Sequence, residues 1–150
     1  MKIDLTGRTA IVTGSTASIG RATAEGLARA NASVIINGRT QARVNEALRQ
    51  MREILPGSDI AGIAADLSTA ESVSAFVAQV PDADILVNKV GTAFLRDCDG
   101  LQDIVAIPDE DWLTLFQLNV MSGVRMSRHY LPGMVERSWG RVVSSAASPR

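Results

Sequence analysis

The chain has 150 residues, 46% of them hydrophobic and 21% charged, an ordinary globular composition sufficient for one domain around one core. Fifteen basic against sixteen acidic residues leave a net charge of -1, so no overall charge draws the chain to nucleic acid or to an anionic membrane. A single cysteine excludes an internal disulfide, no apolar run approaches the ~20 residues of a membrane span, and the N-terminus MKIDLTGRTAIVTG has no signal-peptide pattern; a cytoplasmic protein with a small polar partner is expected.

Thr9 to Thr13 is a short, continuously apolar run, the pattern of a strand buried on both faces. It leads into Thr13-Gly14-Ser15-Thr16-Ala17-Ser18-Ile19-Gly20, a turn that opens a helix. Free backbone N–H groups at such a helix start, with small residues allowing close approach, suit a pyrophosphate. The helix behind it is rich in small residues, Ala22, Ala24, Gly26, Ala28 and Ala30, as close packing on a sheet requires.

A second strand, Ser33 to Asn37, ends in Gly38-Arg39-Thr40. Val44, Ala47, Leu48, Met51 and Leu55 then step along one helical face until Pro56-Gly57. Ile60 to Ala64 is the third strand; Ser68-Thr69-Ala70-Glu71 reads as a capping box for a helix carrying Val73, Phe76, Val77 and Val80 inward. Ile85 to Asn88 is the fourth strand, followed by Lys89-Val90-Gly91 and a long irregular stretch from Thr92 to Ile107. A fourth helix starts at Pro108, with Asp109, Glu110 and Asp111 favoured by the helix dipole in its first turn. Its spacing carries Trp112, Phe116, Val120 and Val124 inward, and Pro132-Gly133 bends or ends it before a fifth strand, Arg141 to Val143. This alternation predicts a Rossmann-like, doubly wound parallel sheet of order 3-2-1-4-5 in a three-layer α/β/α arrangement, with ligands at the carboxyl ends of the strands.

The ordered motifs resemble those of the classical short-chain dehydrogenase/reductase family. TGSTASIG at 13–20 matches the family's TGxxxGIG except for Ser18 in place of the middle glycine. Asp66-Leu67 matches its adenine contact, and Asn88-Lys89-Val90-Gly91 stands where the family has NNAG. Asn119 in LNVMSGVRMSRHYLPGM matches the catalytic Asn, and Gly140-Arg141-Val142-Val143-Ser144-Ser145 resembles the strand that runs into the catalytic Ser. The resemblance implies hydride transfer between a nicotinamide and a carbonyl or alcohol carbon. It implies cofactor contacts at Gly14, Ser15, Ser18, Ile19, Gly20, Arg39, Asp66, Leu67, Asn88 and Gly91, and catalytic roles for Asn119 and Ser145, with Ser144 the alternative to Ser145.

At the end of the second strand, the carboxylate that would bond a ribose 2′-hydroxyl is missing from Asn37-Gly38-Arg39. Arg39 suits a 2′-phosphate instead and predicts NADP(H) over NAD(H), the alternative being a solvated residue at the helix start. Asn119 follows the apolar stripe and needs a defined partner, either for a purely structural bond or in the family's proton relay. His129, Asp97, Cys98 and Asp99 have no metal-ligand spacing, so no metal site is expected.

The resemblance also implies a Tyr-x-x-x-Lys motif after the catalytic Ser, two further strands, a substrate-capping segment and a further dimer helix, which these residues do not include. Tyr130, the one tyrosine, has no lysine four residues on. The chain therefore reads as a shortened family member, inactive alone and prone to associate with itself. The alternatives are a non-catalytic nucleotide-binding or interaction module that pairs with a full-length relative, and a fragment without selected function.

Overall fold

The computed structural model describes residues 3–92 and 105–145. The elements run β1 (Thr9–Val12), α1 (Ser18–Arg29), β2 (Ser33–Gly38), α2 (Gln41–Ile54), β3 (Ile60–Ala64), α3 (Ala70–Gln79), β4 (Ile85–Asn88), α4 (Asp109–Phe116), a π turn (Gln117–Met121), α5 (Ser122–Glu136) and β5 (Arg141–Ser144). The five strands form one sheet in the order β3-β2-β1-β4-β5, every ladder parallel. Ile11 in the central strand pairs with Ile35 on one side and Leu86 on the other. Asp97, Cys98 and Asp99 lie outside the described residues.

Strand alternation divides the core into two layers. Ala10, Val12, Val34, Ile36 and Val87 pack against Ala24 and Ala28 of α1 and Ala47 and Met51 of α2. Ile11 and Leu86 face the other way, onto Val73 and Phe76 of α3 and Met126, Tyr130 and Met134 of α5. Both faces of β1 and β4 are thus covered, which accounts for their unbroken apolar runs. The Tyr130 hydroxyl donates to the Val80 carbonyl at 2.7 Å and ties α5 to the end of α3.

Local details differ from the periodicity in four places. Of the small residues in α1, Gly20, Ala24 and Ala28 are buried, whereas Ala22 and Gly26 face solvent; one i, i+4 row suffices for close packing. The cap of α3 is Thr69, whose hydroxyl accepts the Ser72 N–H at 3.2 Å, while the Ser68 N–H turns back to Asp66 Oδ1 at 3.1 Å. Helix α5 runs through Pro132 to Glu136, because burial of Tyr130 and Met134 outweighs the one backbone hydrogen bond that Pro132 cannot donate.

The largest correction concerns α4 and α5. Trp112, Phe116, Val120 and Val124 are 40–51% exposed, and the buried positions are Leu115, Ser122, Met126, Tyr130 and Met134. Both faces of this helical stretch are apolar, so a period marks two stripes without showing which one meets the sheet. The π turn between the two helices further breaks a single helical phase. Among the described residues no helix is long and apolar enough to cross a membrane.

Candidate functional site

A cleft of about 430 Å³ opens at the carboxyl ends of the central strands, lined by Gly14, residues 16–20 and 37–39, Arg43, residues 65–67 and 89–92, and Leu118. Its floor is the turn between β1 and α1. Gly14 has φ +60°, in the left-handed region glycine tolerates, and a Cβ there would lie 3.2 Å from the Val90 backbone. At Gly20 a Cβ would come within 2.4 Å of the Gly14 carbonyl oxygen, so α1 can start this close to β1 only with glycine. Ser18, between them, has φ +49° despite its side chain.

Ala17 stands at the N-cap of α1, no side chain caps the helix and no acid lies in its first turn. The first-turn N–H groups therefore keep their capacity to bond an anion at the positive end of the helix. The Ser15 hydroxyl is fully buried and donates to the Val12 carbonyl at 2.6 Å.

Buried polar residues fix this turn from behind. Asn37 donates through Nδ2 to the carbonyls of Ile63 and Ala65, each at 3.2 Å, and accepts the Gly14 N–H on Oδ1 at 3.3 Å. One side chain thus joins the ends of β1, β2 and β3. Thr13 Oγ1 does the same towards β4, accepting the N–H groups of Lys89 at 2.9 Å and Val90 at 3.1 Å. Sequence reading missed both as site residues; a polar side chain ending each apolar run was the available signal.

The rim is charged. Arg39 and Arg43 are exposed at the start of α2, and Lys89 and Asp66 stand on the same cleft. Arg43 was also missed, although it stands in the first turn of α2, just beyond the Thr40 N-cap. Leu67 is buried beneath Asp66.

The remaining site residues lie towards β4 and β5. Asn119, in the π turn, accepts the Thr92 N–H on Oδ1 at 2.8 Å and donates through Nδ2 to the Thr92 carbonyl at 2.9 Å. Asn119 is exposed, so its two bonds reflect a specific backbone partner and not rescue of a buried amide. A Cβ on Gly91 would lie 2.7 Å from Asn119 Oδ1, so any larger residue there would displace the Asn119 side chain. Asn88 is buried with Nδ2 3.1 Å from Ser127 Oγ, facing α5 and away from the cleft lining. Ser145 follows β5, and its N–H donates to the Asn88 carbonyl at 3.0 Å; it is not among the residues lining the cleft. His129 Nε2 lies 3.0 Å from the Pro81 carbonyl. Burial, and secondarily the charge of Asp82, raises the Tyr130 hydroxyl well above the usual tyrosine range.

A sequence model of the short chain dehydrogenases matches residues 8–148. The chain belongs to the short chain dehydrogenase family. It is 40% identical over 147 residues to the uncharacterized oxidoreductase YvaG of Bacillus subtilis, a match that covers 98% of this chain and 53% of that protein. L-sorbose reductase from Gluconobacter frateurii, solved in complex with NADPH and L-sorbose, superposes with a TM-score of 0.85 at 35% identity, over 98% of this chain and 55% of that one. A 3-oxoacyl (acyl-carrier-protein) reductase from Agrobacterium tumefaciens, solved with NADP bound, superposes with a TM-score of 0.77 at 36% identity, over 94% and 53%. The chain spans about half the length of the relatives it matches. As a short chain dehydrogenase it places the family's glycine turn, Asp66-Leu67 and Gly91 on one cleft, with Asn119 bonded to the Thr92 backbone at its edge.

Proposed function

We propose that residues 1–150 form the dinucleotide-binding part of an oxidoreductase and that this part prefers NADP(H) to NAD(H). The observation that carries the reading is the cleft's charge pattern: three cations, Arg39, Arg43 and Lys89, line it against one carboxylate, Asp66, beside an uncapped helix start. Such a surplus suits a pyrophosphate together with a further phosphate. NADPH and NADP in the two related reductases support the same reading. In this arrangement the first turn of α1 holds the pyrophosphate, with Gly14, Ser18, Ile19 and Gly20 at closest approach and Ser15 fixing the turn. Asp66 and Leu67 meet the adenine, and Arg39 with Arg43 holds the 2′-phosphate. Asn88 and Gly91 shape the loop beyond.

When bound, the nicotinamide supplies or accepts the hydride exchanged with a carbonyl or alcohol carbon. The chain's own contribution there is orientation, by Asn119 as a proton-relay link and Ser145 as a hydroxyl that polarises the substrate oxygen. A general acid contributes typically ~10²–10⁴ in rate. The only tyrosine of these 150 residues, Tyr130, has its hydroxyl engaged with Val80 in the α3–α5 layer. Residues 1–150 alone accordingly turn over no substrate, and turnover needs a Tyr and Lys from a further segment.

Calorimetric titration with NADPH and NADH tests the cofactor assignment, and the expected result is tighter NADPH binding that weakens in Arg39→Ala and in Arg43→Ala. Equal or stronger NADH binding, or NADPH binding indifferent to both substitutions, would sink it. Nicotinamide absorbance followed with a panel of ketones, aldehydes and secondary alcohols tests the second part; turnover by the 150-residue chain that is lost in Asn119→Ala would contradict it.

The exposed apolar stripe Trp112, Phe116, Val120 and Val124 favours a second feature, association with another copy of the chain or with a related subunit.

A further inference from the structure

Arg125, on α5, lies outside every motif discussed so far. Its guanidinium is half-buried and, among the described residues, has no carboxylate partner. Nη1 donates to the Ser68 carbonyl at 3.0 Å, and Nη2 donates to Gln117 Oε1 at 2.6 Å. These two acceptors adjoin different walls of the cleft, Ser68 next to the lining residue Leu67 and Gln117 next to the lining residue Leu118. Ser68 closes the turn that begins at Asp66, whose Oδ1 takes the Ser68 N–H. Gln117 is the first residue of the π turn, and two residues later Asn119 grips the Thr92 backbone through both its polar groups. A planar fork with fixed donor directions sets the spacing of two acceptors far more tightly than a lysine could.

We propose that Arg125 is a positioning residue that couples the Asp66–Leu67–Ser68 wall to Asn119 and, through Asn119, to the Gly91–Thr92 loop. A ligand that orders the Asp66 side of the cleft then also steadies Asn119 at the other end. The inference rests on the dinucleotide reading of the cleft, in which Asp66 and Leu67 face the adenine. The tie itself is present without any ligand, so its two parts can be tested separately.

The test is backbone hydrogen exchange of the isotopically labelled 150-residue chain, read at the Thr92 N–H. In the ligand-free protein Arg125→Met removes both charged bonds, and Thr92 exchange speeds up about tenfold while the Ile11 and Ile35 amides keep their rates. Asn119→Ala speeds the same amide, and adding Arg125→Met to it has no further effect, because Arg125 acts through Asn119. Should Arg125→Met loosen the whole fold, Gln117→Leu cuts only the π-turn end of the tie and is read in the same way. Thr92 exchange at the parent rate in these variants, or additive effects in the double variant, would overturn the proposal.

Saturation with 2′,5′-ADP, the adenosine half of the cofactor, is the second arm. It slows Thr92 exchange in the parent chain; in Arg125→Met it still binds within about threefold, having no direct contact to lose, but leaves Thr92 unchanged. Equal slowing in both proteins overturns the coupling. Failure of 2′,5′-ADP to bind the parent chain counts against the dinucleotide reading alone, and the ligand-free arm still decides the role of Arg125.

Discussion

Ser15 and Asn37 bond one another twice through groups that are almost wholly buried: the Ser15 N–H donates to the Asn37 carbonyl at 2.9 Å, and the Asn37 N–H donates to Ser15 Oγ at 3.0 Å. This pair joins the first residues of the turn to the end of β2, so Ser15 serves the site from behind. Ser15→Ala leaves the Asn37 N–H buried without its acceptor, a cost of ~1–3 kcal/mol. Urea unfolding should show a lower midpoint with an unchanged slope. A midpoint equal to that of the parent would mean that the pair adds no net stability.

Ser18 has a left-handed backbone where the family carries glycine. That conformation costs an L-residue roughly 1–2 kcal/mol, and glycine returns part of the difference through its freer unfolded state. Ser18→Gly should therefore raise stability by up to about 1 kcal/mol and, by clearing a side chain from the phosphate turn, tighten NADPH binding. Thermal melts and calorimetry on the one variant read both effects. A lower melting temperature would contradict the strain argument, and unchanged affinity would place the Ser18 side chain away from the phosphate.

The hydroxyl of Tyr130 gives a pH dependence of definite sign. Burial, then the nearby Asp82 charge, raises its folded pKa above the ordinary value of 10.0. The neutral form is favoured by folding, so the contribution is fully present below the unfolded pKa and is lost as pH rises beyond it. Stability should fall above about pH 10, and Tyr130→Phe should flatten that fall while losing about 1 kcal/mol at neutral pH with the bond to Val80. Tyrosinate absorbance isolates the group, since it is the one tyrosine in the chain. Ordinary titration of that absorbance in the folded protein would refute the assignment.

Association through the α4–α5 face predicts a concentration-dependent mass in sedimentation. Phe116→Glu, at a residue 51% exposed, should shift the distribution to monomer without lowering the melting temperature. Unaltered association in this variant would direct attention to the edge strand β5, whose Val142 and Val143 are also exposed.

The sheet order and the glycine turn between β1 and α1 were legible because each depends on local pattern. Short apolar runs alternate with amphipathic helices, and the Gly14–Gly20 segment joins a strand to a helix. Asn37 was not legible as a hub, since its partners Gly14, Ile63 and Ala65 are distant in sequence and only the parallel register brings them together. Arg125 was hidden for the same reason. The stripe through Trp112 and Phe116 shows a different limit: periodicity finds an apolar face but not what covers it. Arg43 needed only the start of α2 to be placed directly after Arg39.

The central place of β1 has a consequence for how the chain is made. Its pairing with β2 joins residues close in sequence, Thr9 with Ser33, whereas its other edge waits for Ile85–Asn88, as in the pairing of Ala10 with Ile85. During synthesis, three strands therefore leave the ribosome before the fourth can close the middle of the sheet. In that interval the open edge of Thr9–Val12 is a template for any extended segment, a neighbouring nascent chain included. Folding yield should thus depend on translation rate across residues 60–90 more than on the stability of the finished protein.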